Sequence, residues 1–553
     1  MIRGQTMGGN GIMKLSEEGL KNVQEWEEKG YHLPGYDRAA MIAATKENPT
    51  WVHFGAGNIF RAFQANLAQK LLEDGKVQTG ITVCEGFDYE IIEKQYRPHD
   101  NLSVLVTLKS DGSVEKSVIG SIGESTVLDS ENEKEFERLK EIFAKDSLQL
   151  CTFTVTEKGY SLVNGKGEQL PAVTADFAAG PQKPQSYIGK VASLLYTRYL
   201  AGEKPIAMVS TDNCSHNGEK LYGAVMAFAQ AWIAAGLAKE GFENYLKDES
   251  KVSFPWSMID KITPRPDASV EALLRKDGLA DLDPVVTSKK TWVAPFVNAE
   301  ETEYLVIEDK FPNGRPPLEK AGVIFTDRET VNNVEKMKVT TCLNPLHTAL
   351  AVYGCVLGYE KISDEMKDRE LVNLVNVLGY QEGLPVVVDP GVLNPKEFID
   401  TVLQVRVPNP FMPDTPQRIA TDTSQKLAIR FGETIKSYVA DPNRNAADLN
   451  MVPLVQAGWL RYLMALDDKG EPYEPSPDPL LEDVQKYVAG FKLGEVPSHE
   501  EIRSTILPLL KNAQIFGVDL EEVGLSDKVV SYFAELIAGK GAVRATLKKY
   551  CGE

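Results

Sequence analysis

From Thr50 onward the chain switches between two hydrophobic rhythms. Trp51-Val52-His53-Phe54 is a short run with little polar relief, the pattern of a strand covered on both faces. It stops at Gly55-Ala56-Gly57-Asn58, after which Ile59, Phe60, Phe63, Leu67 and Leu71 recur at helical spacing. A second run, Ile81-Thr82-Val83-Cys84, closes on Glu85. Strand, glycine turn, helix and strand make one βαβ unit. Further strands are expected over 102–108, 148–155 and 206–210, with helices over 187–200 and 221–235. Residues 286–307 read as antiparallel strands, and 15–26 as a helix in an otherwise polar leader. Beyond Asn332 the patterns are helical: 346–357, 364–378, 395–405, 423–439, 453–466, 480–488, 500–510 and 527–537.

Strands alternating with helices predict a doubly wound, mostly parallel sheet. The expected fold class is an N-terminal Rossmann-like α/β domain followed by a mostly α-helical C-terminal domain. The boundaries this implies are a leader at 1–45, a dinucleotide-binding domain at 46–330 and a helical substrate and catalytic domain at 331–553.

Composition narrows the function. The 553 residues carry 60 Lys and Arg against 79 Asp and Glu, a formal net charge of −19. Such a surface repels nucleic acids and anionic membranes, so neither is an expected partner, and an anionic substrate needs a local cluster of cations. No run of about 18 apolar residues is present to cross a bilayer, and MIRGQTMGGNGIM lacks the apolar core of a secretory signal. The six cysteines form no CxxC pair and the six histidines no HxxxH pair. These absences argue against a disulfide framework or a metal site and for a reducing cytoplasm.

Three segments carry candidate chemistry. Gly55-Ala56-Gly57, between a strand and a helix, is where a dinucleotide pyrophosphate would sit, although Phe60 holds the place of a third glycine. A tight structural turn would look the same. Glu85 at the end of the second strand suits ribose hydroxyls and repels a 2′-phosphate, which favours NAD over NADP. The polar knot from Ser210 to Gly218 follows an apolar strand, where ligands bind in open α/β sheets and where a simple capping turn is also common. In the second knot, from Glu335 to His347, Asn344 and His347 share one helical face. A core histidine and a solvated lysine would give the same pattern.

The run from Lys338 to His347 resembles the Lys…Asn-x-x-His signature of the polyol-specific long-chain dehydrogenases, the mannitol dehydrogenase family. Ordered blocks extend the resemblance along most of the chain: Val52 to Ala65, Thr156-Glu157-Lys158-Gly159-Tyr160, Asp212-Asn213 with Asn217-Gly218, Met258 to Pro264, and Arg418 to Lys426. The resemblance implies NAD held by Phe54, Gly55, Ala56, Gly57, Asn58, Ile59, Glu85 and Thr156. It implies Lys338 as general acid/base, Asn213 and Asn344 as donors to the reacting oxygen, and His347 as the group that orients that centre. Ile259, Asp260, Asn217, Arg418 and Lys426 would contact the substrate, and Glu335 matches a carboxylate near the catalytic lysine. No metal is called for. The family implies a monomer or homodimer acting on a small sugar acid or polyol.

Tyr36-Asp37-Arg38 resembles the leader of the fructuronate-reducing members, so interconversion of D-fructuronate and D-mannonate is expected ahead of tagaturonate/altronate or mannitol/fructose. Two departures stand out. Phe60 and Phe63 replace the family's common histidines, and Lys338 precedes Asn344 by six positions where five is usual, which calls for a bulge in Val339-Thr340-Thr341. They leave a second reading, an inactive nucleotide- or sugar-acid-binding regulator. The extra length in the leader, at 165–184 and at 268–289 has no functional account from the sequence.

Overall fold

Strands that are covered on both faces need no polar alternation, and the centre of the first unit is built from such runs. The computed structural model describes residues 11–552; the opening residues up to Asn10, part of the stretch searched for a secretory signal, lie outside them. The strands are β1 (Trp51–Phe54), β2 (Ile81–Glu85), β3 (Ile122–Val127), β4 (Leu150–Phe153), β5 (Ile206–Ser210) and β6 (Val252–Ser253). They pair in parallel in the order β3-β2-β1-β4-β5-β6. Trp51 lies opposite Ile81 on one side and Leu150 on the other. Val52 and Phe54 face helices Glu133–Phe143, Tyr187–Leu200 and Asn217–Ala234, while Ile81 and Val83 face helix Gln64–Glu73 and a second sheet. Strand order reverses at β1 and β4, so the crevice beyond their carboxyl ends is the topological switch point.

The second sheet runs Tyr31–His32, Val114–Ile119, Ser103–Leu108, Phe296–Glu300. Tyr31–His32 pairs in parallel with Val114–Ile119, so the leader supplies an edge strand. The helix expected over 15–26 is instead a 3₁₀ turn, Gly19–Lys21, and a helix, Val23–Glu28. Asn22, with ψ of 61°, separates them. The antiparallel expectation for 286–307 holds only in part. Val285–Val286 pairs antiparallel with Trp292–Val293, and Tyr304–Glu308 antiparallel with Ser257–Asp260. Phe296–Glu300, however, runs parallel to Ser103–Leu108.

The second unit comprises residues 333–553 with the short segment 109–112. Helices Asn344–Leu357 and Met451–Leu463 are buried almost all round, as central helices of a bundle must be. The Tyr353 hydroxyl donates to the Leu454 carbonyl at 2.6 Å and joins them. Several expected long helices break at π turns: Val377–Gly383 follows Arg369–Asn376, Val402–Arg406 follows Pro395–Thr401, and Ala428–Gly432 precedes Glu433–Ala440. Each π turn adds a residue and shifts the phase of the next helix, which a 3.6-residue rhythm cannot register. Among the described residues no helix is long and apolar enough to cross a membrane, and no group of three or more His, Cys, Asp or Glu is placed to hold a metal.

One buried guanidinium pins the amino ends of β4 and β5. Arg198, 0% exposed, donates to the carbonyls of Phe143, Lys145, Leu148, Lys204 and Pro205. Arg198→Met strands these buried acceptors and is expected to cost roughly 3 kcal/mol or more. A urea titration of the variant would show the lowered midpoint; an unchanged midpoint would mean that water replaces the guanidinium.

Candidate active site

The glycine loop is fixed by what surrounds it. Gly55 has φ of +112°, and a Cβ there would lie 2.2 Å from the Thr154 carbonyl oxygen, so only glycine fits. Gly57 is the opposite case: a Cβ on it meets nothing within 4 Å, leaving its outer face open, and it caps the short helix Asn58–Ala62. That helix stops at Phe63 and restarts at Gln64, so the continuous helix expected from Ile59 is kinked. Phe60 is buried and stacks on His53 at 4.3 Å, filling the helix–sheet contact that a third glycine would leave close. His53 itself is a satisfied core group, its ring nitrogens bonded to the hydroxyls of Thr152 and Thr154, and burial holds it neutral. The Phe54 side chain lies in the sheet core, stacked on Phe153 at 4.8 Å, so only its backbone borders the loop. Asn58 accepts a hydrogen bond from Arg61 at 2.9 Å, and Ile59 packs on the core.

Glu85 ties the second strand to this loop. One carboxylate oxygen accepts from the Ala56 N–H at 2.9 Å, and the other from the N–H groups of Gly86, Phe87 and Asp88. Burial, at 6% exposure, raises its pKa against the pull of these four donors. The residue expected to meet a ribose is therefore also the brace of the glycine loop.

Beyond β4 and β5 a second buried carboxylate does similar work. Asp212 accepts from the N–H groups of Val155 at 3.0 Å and Thr156 at 2.9 Å, and from the Tyr160 hydroxyl. Thr156 is thereby held at φ of +64°, a strained conformation for a β-branched residue. Asn213 follows at the carboxyl end of β5 and is exposed. Asn217 does not face an open site. Its amide donates to the carbonyls of Ser210 and Asp212 and to the Ser257 hydroxyl, and accepts from the Ser257 N–H, with the residue fully buried. It clamps strand Ser257–Asp260 to β5, a positioning role in place of the expected substrate contact. Ile259 and Asp260 lie on that strand, both buried, with Ile259 in the core.

In the second unit Lys338 is 5% exposed and opens the π turn Lys338–Cys342. The Leu343 N–H donates to the Lys338 carbonyl at 3.1 Å, an i to i+5 bond that takes up one residue more than an α turn. The sixth step to Asn344 is accommodated there. Asn344 begins helix Asn344–Leu357, and its Oδ1 is buried without a hydrogen-bond partner among the described residues. Such an acceptor costs about 1–3 kcal/mol until something donates to it. His347 lies one turn later, its Nε2 3.7 Å from Asp414 Oδ2. Burial first, then the charges of Arg430, Arg418, Arg406 and Lys426, push this imidazole down to about 3. Arg418 is paired with Asp414, and the Lys426 ammonium donates to the Thr421 carbonyl at 2.6 Å. Two members of the cation cluster, Arg406 and Arg430, escape the sequence reading. Arg430 is four residues after Lys426, a spacing that marks it in retrospect; Arg406 comes from a separate π turn.

Known proteins share this organisation. The Mannitol dehydrogenase Rossmann domain family matches residues 49–320, and the Mannitol dehydrogenase C-terminal domain family residues 330–536. The D-mannonate oxidoreductase of Thermotoga maritima is 52% identical over 542 residues, covering 98% of this chain and 99% of its own. The polyol:NADP oxidoreductase of Gluconobacter oxydans is 31% identical, covering 83% of this chain and 88% of its own. Pseudomonas fluorescens mannitol 2-dehydrogenase, solved as a ternary complex with NAD and D-mannitol, superposes with a TM-score of 0.66 at 27% identity, over 98% of this chain and 100% of its own.

The two buried imidazoles have a measurable signature. In an unfolded chain each takes a proton near 6.5; in place His347 does so only near 3 and His53 well below its ordinary value. The unfolded state therefore binds more protons in this window, and both residues withdraw stability as pH falls below about 6.5. NMR between pH 8 and 5 should show the imidazoles of His53 and His347 not titrating, the second identified by its absence in His347→Asn. A His347 signal that titrates near 6 would mean the ring is solvated.

Proposed function

The chain belongs to the mannitol dehydrogenase family, and on that premise we propose that it is an NAD-dependent sugar-acid dehydrogenase interconverting D-fructuronate and D-mannonate. The observation that carries the reading is the set of cations gathered about a neutral His347, in the same unit as Lys338 and Asn344. A neutral polyol brings no charge to such a cluster, whereas a hexuronate brings a carboxylate. The 52% identity to a D-mannonate oxidoreductase supports the same choice.

The residues of the first unit fit a dinucleotide. Gly57 leaves room for close backbone approach, and the first N–H groups of a helix lack intrahelical acceptors. Glu85 Oε2, which among the described residues accepts only from Ala56, retains a lone pair for a ribose hydroxyl while the carboxylate repels a 2′-phosphate. Bound NAD supplies the hydride acceptor for the alcohol carbon. Lys338 takes the hydroxyl proton during oxidation and returns it to the oxygen during reduction. Asn344 donates from its amide nitrogen to the same oxygen, and Asn213 is the amide donor assigned to the first unit. His347, held neutral, can orient the substrate by one hydrogen bond without adding charge. Arg418 and Lys426 attract the carboxylate end, and Asp260 is the residue of the first unit assigned to the substrate, with Asn217 holding its strand. The six cysteines are free thiols, in keeping with a cytoplasmic enzyme.

Lys338→Ala should lower kcat by roughly 10²–10⁴-fold, with thermal stabilisation by NAD retained and partial rescue by small primary amines. Loss without rescue and with loss of NAD stabilisation would indicate a structural lysine. Across D-mannonate, D-altronate and D-mannitol with NAD or NADP, mannonate with NAD should be fastest. Oxidation of mannitol with no turnover of either acid would overturn the sugar-acid reading.

A further inference from the structure

We infer that Arg430 selects substrates ending in a carboxylate, its guanidinium receiving the acid group as a charge-assisted pair that an uncharged analogue cannot form. The inference deepens the sugar-acid reading and rests on it.

Several other arginines of this unit are compensated. Arg544 is paired with Asp368 at 2.6 Å and Glu370 at 3.3 Å, Arg503 with Glu521 and Asp527, and Arg461 donates to the carbonyls of Leu466, Asp467 and Leu536. Arg418, to which the sequence assigns the far end of the substrate, already holds Asp414 and is 65% exposed. Arg430 is different. It is half-buried on the π turn Ala428–Gly432, and the one hydrogen bond its guanidinium makes among the described residues goes from Nη1 to the hydroxyl of Thr348. No carboxylate pairs with it there. A guanidinium carries five N–H donors in a planar fork, so most of this fork is unused.

Position gives the vacancy meaning. Thr348 follows His347 on helix Asn344–Leu357, so the bond sets the guanidinium beside the imidazole proposed to orient the substrate. Of the cations acting on His347, Arg430 has the largest effect, and it also acts on Lys426. Positive groups crowded together raise the local potential and favour an anion, and Asp414, the carboxylate beside His347, is already paired with Arg418. A carboxylate matches the fork in shape as well as charge, which a lone ammonium does not.

The test pairs a change in the protein with the matching change in the ligand. Full-length enzyme, Arg430→Gln and Arg430→Lys are assayed with D-mannonate and with D-mannonamide, in which a neutral amide replaces the carboxylate, as substrate or competitive inhibitor. The parent should prefer the acid, and the preference should shrink by about 10–100-fold in Arg430→Gln, through KM more than kcat. Arg430→Lys should recover part of it. NAD-induced thermal stabilisation checks folding; if the Gln variant lacks it, Arg430→Lys carries the test, and a preference equal to the parent's overturns the inference. An undiminished preference in a folded Gln variant also overturns it while leaving the sugar-acid reading standing. If the parent oxidises neither mannonate nor any other sugar acid, that reading itself falls.

Discussion

Glu85 and Asp212 are carboxylates taken almost wholly out of water and repaid with main-chain N–H groups, and the geometry at the switch point depends on them. A glycine loop supplies conformational freedom, which by itself specifies nothing. Glu85 removes that freedom by gripping Ala56 from the neighbouring strand while closing its own turn through Gly86, Phe87 and Asp88. Asp212 does the same for the loop after β4, holding Thr156 at a left-handed φ that a threonine does not adopt unaided. Both carboxyls are raised by burial and lowered by their donors, so each side of the exchange is needed. An exposed carboxylate would be cheaper to ionise and useless as a brace.

The second unit solves a different problem, crowding several cations without unfolding. Its two central helices supply rigidity, and Glu382 fixes the start of one by accepting the N–H groups of Asn450, Met451 and Val452. On this frame the cations come from separate segments: Arg406 and Arg430 on π turns, Arg418 on a short helix, Lys426 after a 3₁₀ turn. π turns redirect side chains that a regular helix would send elsewhere, and Lys338 opens another. Irregular helix thus coincides with the residues to which chemistry is assigned.

This division explains what the sequence discloses. Ile206–Ser210 and Tyr187–Leu200 are legible to the residue, because a strand buried on both faces and a helix with a broad apolar side have no competing pattern. β3 is not, since Glu124 and Ser125 interrupt its apolar run. The helices broken by π turns read as unbroken, because hydrophobic spacing records burial and not which carbonyl an N–H chooses. At the site, Lys338, Asn344 and His347 are near in sequence and visible as a group. Arg406 is visible only once folding gathers segments some tens of residues apart, and Arg430 is marked only by its spacing from Lys426. Asn217 misleads in the opposite sense: a polar residue after a strand suggests a ligand, yet its amide is consumed in joining β5 to Ser257.

The charge balance completes the physical picture. A chain with net charge −19 keeps anions at a distance in general, and salt screens that repulsion beyond about 8–10 Å. A sugar acid must therefore be won over by groups within a few ångströms. His347 is affected by that local field, its proton affinity being suppressed first by burial and then by the charges of Arg430, Arg418, Arg406 and Lys426. Under the proposed reading, the cations that add to burial in keeping this imidazole neutral are also the ones that attract a carboxylate. In the proposed mechanism a neutral histidine orients a hydroxyl without competing with Lys338 for the role of proton carrier, and an acidic enzyme would handle an acidic substrate by concentrating its positive charge in one place.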